Sequence, residues 1–558
     1  MSTSLVPSAL DPLTQAFPTL TEAQINRIRP FSKSRRVEKG EILFEPGDTN
    51  VPFFVLLSGK MDIVQPDLNG ERPVANHDHP GGFTGEMTMI SGHRCLVRGR
   101  VSEPGEFLEL SGEGLRSLIA RDAELSEIFM RAFILRRLEL IKRGLGSLIL
   151  MGSRHSAKTL ALREFLTRNG HPYNYIDLDT DKTSQELLDR FEVKVEEIPV
   201  VICGSSNAVM RNPTMQKLAD CLGFNSAIDE SQIRDLIIVG AGPSGLAAAV
   251  YAASEGLDVL VIENAAPGGQ AGSSSKIENY LGFPTGVSGQ ELATRAIMQA
   301  EKFGAKMMLA HKVAHLECDR RPFKVVLDNG TNLAARAIVI STGAQYNKPR
   351  IANLAKFEGQ GIYYGATFME SQLCEQEDVI VVGGGNSAGQ AAVFLAQTAR
   401  KVYMLVRSGQ LSDTMSRYLI QRIEENPAIE LHYKTEIVAL DGDDHLERVT
   451  WRDNATGETS THDIRHVFIM AGASPGTAWL KGCLALDNKG FILTGRDMDA
   501  ASETPVWPLA RPPQMLETSL PGVFAVGDVR AGNVKRVASA VGEGSIAIHL
   551  VHRALAEI

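Results

Sequence analysis

The chain has 558 residues, of which 44% are hydrophobic and 22% are charged, and this composition is typical of globular proteins. A chain of this length is too long to fold around a single hydrophobic core, so about three to four domains are predicted. Its 57 Lys and Arg residues stand against 66 Asp and Glu residues, and this formal charge of −9, without a long basic run, argues against a nucleic-acid partner.

The start of the chain lacks the basic and apolar regions of a secretion signal, and no later stretch is apolar for long enough to span a membrane. We therefore expect a cytoplasmic protein. The cysteines are scattered and form no C-x-x-C pair, which predicts neither a disulfide framework nor a cysteine zinc site. They are Cys95, Cys203, Cys221, Cys318, Cys374 and Cys483.

Short β-rich runs separated by glycines fill residues 35–110 and predict a small antiparallel barrel. Apolar residues then recur at helical spacing behind an acidic start from Asp122 to Arg143, which predicts one long helix leaving the barrel. His77 and His79 flank Asp78 without further ligand residues, so we expect them to be solvated rather than bound to a metal.

Residues 146–226 alternate between apolar strand-like runs and helical patterns. The strand-like runs are LILMG, YNYIDLD and IPVVICG, and the helical patterns are SAKTLALREFLTRNG, SQELLDRF and TMQKLADCLG. This alternation predicts a compact α/β unit with helices packed on its sheet.

A first glycine fingerprint, Gly240-x-Gly242-x-x-Gly245, stands between the strand DLIIVG and the helix LAAAVYAASEG. Glycines in this position allow a pyrophosphate to approach the start of a helix, where free N–H groups favour an anion. The next strand, DVLVIE, ends in Glu263, the acidic residue expected to bind a ribose diol. The combination predicts a dinucleotide site rather than a structural turn.

A second fingerprint, Gly383-x-Gly385-x-x-Ala388, includes Asn386 and Ser387 and again joins a strand to a helix. Its next strand ends in Val406 and Arg407, where the first unit has a carboxylate. A guanidinium pairs with a 2′-phosphate that a carboxylate would repel, so this site is predicted to bind NADPH. Further donors are expected among Ser408, Arg417 and Arg422, although the last two also suit a solvated helix face.

Two fingerprints on one chain predict a flavoprotein in which a nicotinamide reduces a flavin. At this point residues 235–558 resemble the low-molecular-weight thioredoxin reductases through six motifs in family order. These are GAGPSG, APGGQ, ENYLGFP, ISTGA, VVGGGNSA and GVFAVGDVR. The resemblance implies a homodimer with an FAD domain split into residues 234–347 and 480–558, around an NADPH domain at 348–479.

The resemblance also implies which residues bind FAD. The glycines of the first fingerprint would face the pyrophosphate, Glu263 the adenosine ribose, and Asp528 the ribitol. A carboxylate suits the ribitol because hydroxyl groups donate hydrogen bonds. The other implied FAD residues are Gly269, Gln270, Asn279, Thr342, Gly343, Gly527, Arg536, Val537 and Ala538.

The family's redox disulfide is missing from this sequence. The pattern CATCDG of the reductases falls on the stretch GATFME, residues 365–370, so Gly365 and Phe368 occupy the two cysteine positions. A disulfide relay needs an attacking thiolate and a resolving thiol, and this stretch has neither. Cys374 follows closely but lacks a partner, and we interpret it as a buried apolar residue.

Residues 146–226 are similar to glutaredoxins and thioredoxins, including Ile198-Pro199 where those proteins have a cis-proline. The position of their C-x-x-C reads SRHSAKT, residues 153–159, again without a thiol. We expect Ser156 to cap a helix and His155 to be a polar loop residue. Cys203 and Cys221 are expected to belong to the core.

The segment up to residue 143 resembles cyclic-nucleotide-binding domains, most clearly in LLSGKMDIV, in Glu86 and in Arg94. In that family the Glu binds the ribose hydroxyl and the Arg binds the cyclic phosphate. Cys95-Leu96 follow Arg94 where the family has Ser/Thr-Ala, so one phosphate donor is missing. This departure favours a scaffold or dimerisation role over nucleotide binding.

The predicted fold is therefore multidomain: a β-barrel, a thioredoxin-like α/β unit and two Rossmann-like domains. The leading hypothesis is an NADPH oxidoreductase with FAD that passes electrons to a quinone, dioxygen, a redox protein or an external disulfide. One alternative is a redox or cyclic-nucleotide sensor built on a vestigial reductase. Another is an atypical thioredoxin reductase that uses Cys374.

Overall fold

The computed structural model describes residues 15–557, apart from 68–69, 86–88, 90–93, 144–147, 155, 181–193, 195–196, 204–207, 226–227, 275, 367, 413, 444, 471, 481 and 501–506. The chain divides into two compact units. Unit 1 comprises Met1–Arg154, Leu162–Ile228 and Glu301–Leu309, and unit 2 comprises His155–Ala161, Asp229–Ala300 and Ala310–Ile558.

The N-terminal part of unit 1 is built from antiparallel strands in two sheets, and the predicted barrel stays a prediction. One has the strand order β1-β7-β3 and the other β2-β6-β4-β5. The strands are β1 (Lys33–Val37), β2 (Ile42–Phe44), β3 (Phe53–Leu56), β4 (Lys60–Asp67), β5 (Gly70–His77), β6 (Arg98–Glu103) and β7 (Gly105–Leu110).

Three helices flank these sheets: α1 (Glu22–Ile28), α2 (Gly112–Arg121) and α3 (Ala123–Lys142). The predicted long helix is therefore confirmed to within a residue at each end. Its Phe129 packs edge-on against Phe53 and Phe83, with ring centroids 4.9 and 5.0 Å apart. These buried aromatic contacts attach the helix to the strands, because aromatic pairs add stabilisation beyond their buried area.

The α/β segment of residues 148–222 has a sheet in the order β11-β10-β8-β9, in which β8 and β9 are parallel and the other pairs antiparallel. Its elements are β8 (Leu148–Gly152), α4 (Ala157–Arg168), β9 (Asn174–Asp177), β10 (Val200–Cys203), β11 (Ala208–Arg211) and α5 (Met215–Leu222). Strand β11 was not predicted from the sequence. The Ile198–Pro199 peptide is cis.

Ser156 caps α4 as expected, because its Oγ accepts a hydrogen bond from the Thr159 amide at 3.4 Å. Cys203 is buried, as predicted, whereas Cys221 is half-buried. His155 and the predicted helix SQELLDRF lie outside the described residues. The thioredoxin-like assignment of this part stays a prediction.

The segment with the first fingerprint forms a mixed sheet whose strands lie in the order β13-β12-β17-β16-β15. Strand β12 pairs parallel with β13 and β17, whereas β15, β16 and β17 pair antiparallel. The elements are β12 (Arg234–Val239), α6 (Pro243–Ser254), β13 (Val259–Glu263), α7 (Gly269–Gly272), α8 (Gly289–Lys302), β14 (Lys306–Leu309), β15 (Val313–Glu317), β16 (Phe323–Leu327) and β17 (Asn332–Ile340).

The inserted segment of unit 2 has a parallel sheet, β19-β26-β20-β21-β22, and an antiparallel sheet, β23-β24-β25; a short ribbon pairs β18 with β27. Its elements are β18 (Ala344–Tyr346), α9 (Leu354–Phe357), β19 (Ile362–Tyr363), α10 (Phe368–Leu373), β20 (Asp378–Val382), α11 (Asn386–Leu395), β21 (Lys401–Val406), α12 (Arg417–Glu424), β22 (Ile429–Tyr433), β23 (Thr435–Asp441), β24 (Arg448–Asp453), β25 (Thr459–His462), β26 (His466–Ile469) and β27 (Ala473–Pro475).

The C-terminal segment then returns to the first sheet. Strand β28 (Val523–Ala525) pairs parallel with β17, and helix α13 (Val537–Ala556) ends the chain. Helices α13 and α6 pack closely, because a Cβ added at Gly544 would lie 2.2 Å from the Ser244 carbonyl oxygen. Short 3-10 helices span Arg29–Phe31, Ala478–Leu480, Gly495–Ala500 and Gly527–Val529.

Two sequence predictions about polar and sulfur side chains are wrong. Cys318 and Cys483 form a disulfide with Cα atoms 5.9 Å apart, although their separation of 165 residues gave no pairing signal. His77 is only 7% exposed, because it ends β5 and packs against the Phe17 ring with ring centroids 6.0 Å apart, whereas His79 is solvated as expected. The described residues contain no cluster able to hold a metal ion and no helix that could cross a membrane.

The disulfide predicts a stability effect. Replacing Cys483→Ser removes the cross-link between two segments of unit 2 and should lower the free energy of unfolding by about 2–4 kcal/mol, because the unfolded chain gains freedom. Urea unfolding followed by circular dichroism measures this change. Dithiothreitol should destabilise the unsubstituted protein equally and the variant no further, whereas equal unfolding midpoints without reductant would contradict the prediction.

Candidate dinucleotide sites

The first site stands where four parallel strands end in one row. Val239 of β12 is in register with Ile262 of β13 and with Ile340 of β17, and Ile340 is in register with Ala525 of β28. The carboxyl ends of parallel strands meet at one edge of a sheet, where α/β proteins bind ligands. The sheet thus brings together loops that lie far apart in the sequence.

The first loop is the glycine fingerprint between β12 and α6. A Cβ at Gly245 would lie 2.0 Å from the Gly240 carbonyl oxygen, so only glycine fits there. Gly242 is the N-cap of α6 and supplies no side-chain hydrogen bond, which leaves the first amides of this helix available to an anion. The nearest atom to a Cβ added at Gly242 is the Gly269 Cα, at 3.9 Å. A Cβ added at Gly269 would lie 3.0 Å from the Gly242 Cα, so the two predicted FAD loops approach each other closely through their glycines.

Glu263, the last residue of β13, is 8% exposed and is held by the backbone. Its Oε2 accepts a hydrogen bond from the Ala241 amide at 2.8 Å, and its Oε1 accepts one from the Ala265 amide at 3.0 Å. Each carboxylate oxygen has capacity for a second hydrogen bond. The side chain is thus fixed beside the glycine loop in a position that suits a ribose hydroxyl.

Asp528 follows β28 in the 3-10 helix Gly527–Val529 and is half-buried. Its carboxylate makes no hydrogen bond to any described residue, and burial raises its pKa. A half-buried carboxylate without a donor is costly, so this group fits a ligand that donates hydroxyl hydrogen bonds. The ribitol role predicted from the resemblance agrees with this chemistry.

Glu543 fixes the Asp528 loop and was missed by sequence reasoning. Its Oε2 accepts from the Gly527 amide at 2.7 Å, and its Oε1 accepts from Nη2 of Arg530 at 2.6 Å. The available signal was a single carboxylate in the otherwise apolar start of α13, VASAVGEGSIAI. An acidic residue on such a helix usually has a fixed partner.

Some of the remaining predicted FAD residues lie in loops at this edge of the sheet, and others have no described contact with those loops. Thr342 and Gly343 lie in the loop after β17, one residue beyond its end, and Gly343 has no atom within 4 Å of an added Cβ. The Gln270 side chain donates to the Ala344 carbonyl oxygen. Arg536 is the N-cap of α13, and its side chain makes no capping hydrogen bond. The backbone amides of Val537 and Ala538 belong to the first turn of this helix. Asn279 is exposed, and no described contact connects it to these loops.

The second site repeats the arrangement in the inserted sheet, where Val382 of β20 is in register with Leu405 of β21 and Ile469 of β26. A Cβ at Gly383 would lie 2.6 Å from the Met470 carbonyl oxygen and 3.0 Å from the Ala388 Cβ, so the loop is again tightly packed. Gly385 is the N-cap of α11, with Asn386 and the exposed Ser387 in its first turn.

The strand that follows the second fingerprint, β21, ends in Val406, whereas the corresponding strand of the first site, β13, ends in Glu263, as the sequence predicts. Val406 is 1% exposed and its Cγ1 lies 3.0 Å from a Cβ added at Gly384, so an apolar group packs under the glycine loop. Arg407 and Arg417 are exposed and make no hydrogen bond or ion pair with the described residues. These two guanidinium groups, one directly after β21 and the other at the start of α12, suit a 2′-phosphate, because guanidinium pairs well with phosphate.

The loop that carries these arginines is attached to the fingerprint. The Thr414 hydroxyl donates to the Gly384 carbonyl oxygen at 2.8 Å, and the Ser416 amide donates to Oδ1 of Asn386 at 2.8 Å. The Ser408 hydroxyl donates within its own loop, to the Gln410 carbonyl oxygen. Arg422 pairs with Glu278 and is therefore already neutralised.

The stretch GATFME follows β19 in the inserted segment and runs into the start of α10 at Phe368. Gly365 has no atom within 4 Å of an added Cβ, whereas Thr367 and the side chain of Phe368 lie outside the described part of the chain. Cys374 is fully buried, as predicted, and its thiol lies 3.3 Å from the Glu370 carbonyl oxygen. Burial raises the pKa of Cys374 to about 12, so the group is a thiol at neutral pH.

The predicted nucleotide residues of the barrel are not brought together within the described residues. Glu86 lies outside them. Arg94 lies against the end of α5, because a Cβ added at Gly223 would come within 2.6 Å of its Nε. The contact gives Arg94 a role in packing unit 1.

Comparison with known proteins agrees with this geometry. Residues 234–544 match the family described as pyridine nucleotide-disulphide oxidoreductase. The chain belongs to this family. Residues 34–122 match the cyclic nucleotide-binding domain.

The similar curated proteins are thioredoxin reductases. That of Mycoplasmopsis pulmonis is 31% identical over 321 residues, which are 57% of this chain and 97% of that protein. That of Ureaplasma parvum is 31% identical over 317 residues, or 57% of this chain and 95% of that protein. Among solved structures, Lactococcus lactis thioredoxin reductase in its FR conformation aligns with a TM-score of 0.52 and 26% identity, over 58% of this chain and 100% of that one. The T. acidophilum reductase aligns with a TM-score of 0.51 and 28% identity, over 58% and 99%.

These findings confirm a two-domain Rossmann-type reductase fold with an N-terminal cyclic-nucleotide-binding domain. They also confirm an FAD-dependent oxidoreductase whose family uses FAD and NADPH. The residues at the two strand-end sites fit both cofactors. Their individual roles stay predictions.

Arg407→Ala should raise KM for NADPH by about 10- to 100-fold and leave KM for NADH nearly unchanged, because a charge-assisted hydrogen bond contributes about 1.5–3 kcal/mol. Steady-state kinetics with both nucleotides measures the split. Arg400→Ala is the matched control, since Arg400 precedes the other end of β21 and pairs with Asp378. Equal losses with NADPH and NADH would contradict the assignment.

Asp528→Asn should weaken FAD binding by about 10- to 100-fold, because an amide oxygen is a weaker acceptor than a carboxylate for the same hydroxyl donors. Titration of apoprotein with FAD measures the dissociation constant. Asp497→Asn serves as a control, because Asp497 is exposed and lies 3.9 Å from the nearest charged partner, Arg530. An unchanged FAD affinity in Asp528→Asn would exclude the ribitol role.

Proposed function

We propose that this protein oxidises NADPH and delivers the electrons, through FAD, to an acceptor outside the chain without a dithiol relay. The observation that carries this proposal is the stretch GATFME, where Gly365 and Phe368 stand in the cysteine positions of the family pattern. The chemistry that the two cofactors supply when bound is hydride transfer from nicotinamide to flavin. The chain contributes the two strand-end sites that position them.

The electron acceptor is the point at which the protein would differ from the reductases it resembles. A relay needs two thiols within bonding distance, and one of them has to ionise. Cys374 is buried beside backbone carbonyl groups with its pKa raised to about 12, so it supplies no thiolate at neutral pH. We therefore propose a quinone, dioxygen, a redox protein or an external disulfide that reaches the flavin directly. An atypical thioredoxin reductase using Cys374 is the less favoured alternative.

The match of residues 34–122 favours a second candidate function, in which a ligand of the barrel regulates the flavoprotein. A cyclic nucleotide is the ligand that the resemblance suggests, with Glu86 and Arg94 as its binding residues. The packing of Arg94 against Gly223 favours the scaffold role instead. We also propose a homodimer, in line with the resemblance.

An anaerobic NADPH titration tests the proposed function. One equivalent of NADPH should bleach the flavin absorbance, and one of the proposed acceptors should then reoxidise the reduced protein without any contribution from Cys374. Cys374→Ser should behave like the unsubstituted protein in both steps. Absence of bleaching would refute the oxidoreductase proposal, and thioredoxin reduction that is lost in Cys374→Ser would establish the alternative.

A further inference from the structure

Helix α3 covers an apolar cavity next to the sheet that contains β4 and β5. The cavity volume is about 60 Å³, and most of the lining is apolar, including Phe44, Ile63, Val74 and Leu140. A single water needs roughly 10–15 Å³ of such space, so the cavity has room for about four or five waters. A small ligand fits this space as it stands.

A buried arginine lines this cavity. Arg136 of α3 is 7% exposed, and its guanidinium carbon lies 4.8 Å from the Phe17 ring centroid and 4.7 Å from that of Phe83. Its Nε donates to the Ala16 carbonyl oxygen at 2.8 Å, and its Nη1 donates to the Gly85 carbonyl oxygen at 2.9 Å. Its Nη2 is buried without a hydrogen-bond partner in the described chain. Five N–H donors thus meet only two acceptors.

No described carboxylate forms an ion pair with this cation. Glu139 also lines the cavity, but its Oε1 pairs with Nε of Arg143 at 2.6 Å. Burial and the Arg136 charge lower the pKa of His77 to about 3, so His77 is neutral at physiological pH. Burial also lowers the pKa of Arg136 to about 9. A buried cation without a counter-ion is strongly unfavourable, and an anion placed beside it would remove much of that penalty.

We propose that this cavity binds a small organic acid, whose carboxylate pairs with Arg136 and whose short hydrocarbon body contacts the apolar lining. Arg136 would thereby be the anion-binding residue of the barrel, in place of Arg94, which lies against Gly223. The limited volume and the apolar lining favour a short carboxylate over a nucleoside phosphate. This inference concerns the barrel alone and does not depend on the electron acceptor.

Calorimetry on the full-length protein tests this proposal with butanoate and hexanoate as probes, and with butanamide and hexanamide as neutral analogues of matched shape. The acids should bind at least tenfold more tightly than the amides. Arg136→Met should abolish that difference, whereas Arg94→Met should preserve it. Cyclic AMP and cyclic GMP, titrated in parallel, should bind more weakly than the acids.

If Arg136→Met fails to fold, the affinities of the acids and the amides for the unsubstituted protein still test the proposal. Arg136→Lys provides a second variant and should keep a preference for the acid, because the charge remains. Equal affinities for acid and amide, or no binding of either acid, would overturn the proposal. So would tight binding of a cyclic nucleotide that Arg94→Met abolishes. Bleaching of the flavin by NADPH in the same preparation separates this result from a failure of the oxidoreductase function.

Discussion

The dinucleotide region depends on the in-register alignment of parallel strand ends. Gly240 and Asp528 follow strands that end at the same edge of the sheet, although the whole inserted segment separates them in the sequence. Hydrogen bonding of β17 to both β12 and β28 places their carboxyl ends in one row, so a shift of one residue would move every loop of the site. The close contact of Gly544 with Ser244 packs α13 against α6, and Glu543 of α13 accepts the hydrogen bond of the Gly527 amide in the loop of Asp528.

Two fingerprints with nearly the same backbone have different electrostatics because of the residue that ends the second strand. Glu263 is held by two backbone amides, so its negative charge is fixed beside the first glycine loop. Val406 occupies the equivalent place in the second fingerprint, and the next residue, Arg407, is exposed and has no ion pair with the described residues. One substitution at a strand end is thus sufficient to separate a site that suits a ribose diol from one that suits a phosphate.

Local sequence patterns predicted those helices and strands that form because of residues close together in the sequence. Helix α3 has apolar residues at helical spacing behind an acidic start, and the strands before each fingerprint are continuous apolar runs, so both were expected. The disulfide, the burial of His77 and the setting of Arg136 result from contacts between distant segments, which no short pattern encodes. Arg136 was especially hard to identify, because the run RRLEL resembles an ordinary solvated helix face, whereas the aromatic rings that enclose this arginine come from residues 17 and 83.

The bond between Cys318 and Cys483 gives the chain a covalent topology that the family resemblance does not imply. It joins the end of the β15 segment to the segment that follows Ala478–Leu480, and the whole inserted segment with the second fingerprint lies inside the closed loop. A protease that cuts once within residues 319–482 would therefore leave the two fragments attached to each other until a reductant arrives. The backbone would be cut there, but the two fragments would remain one covalently connected molecule.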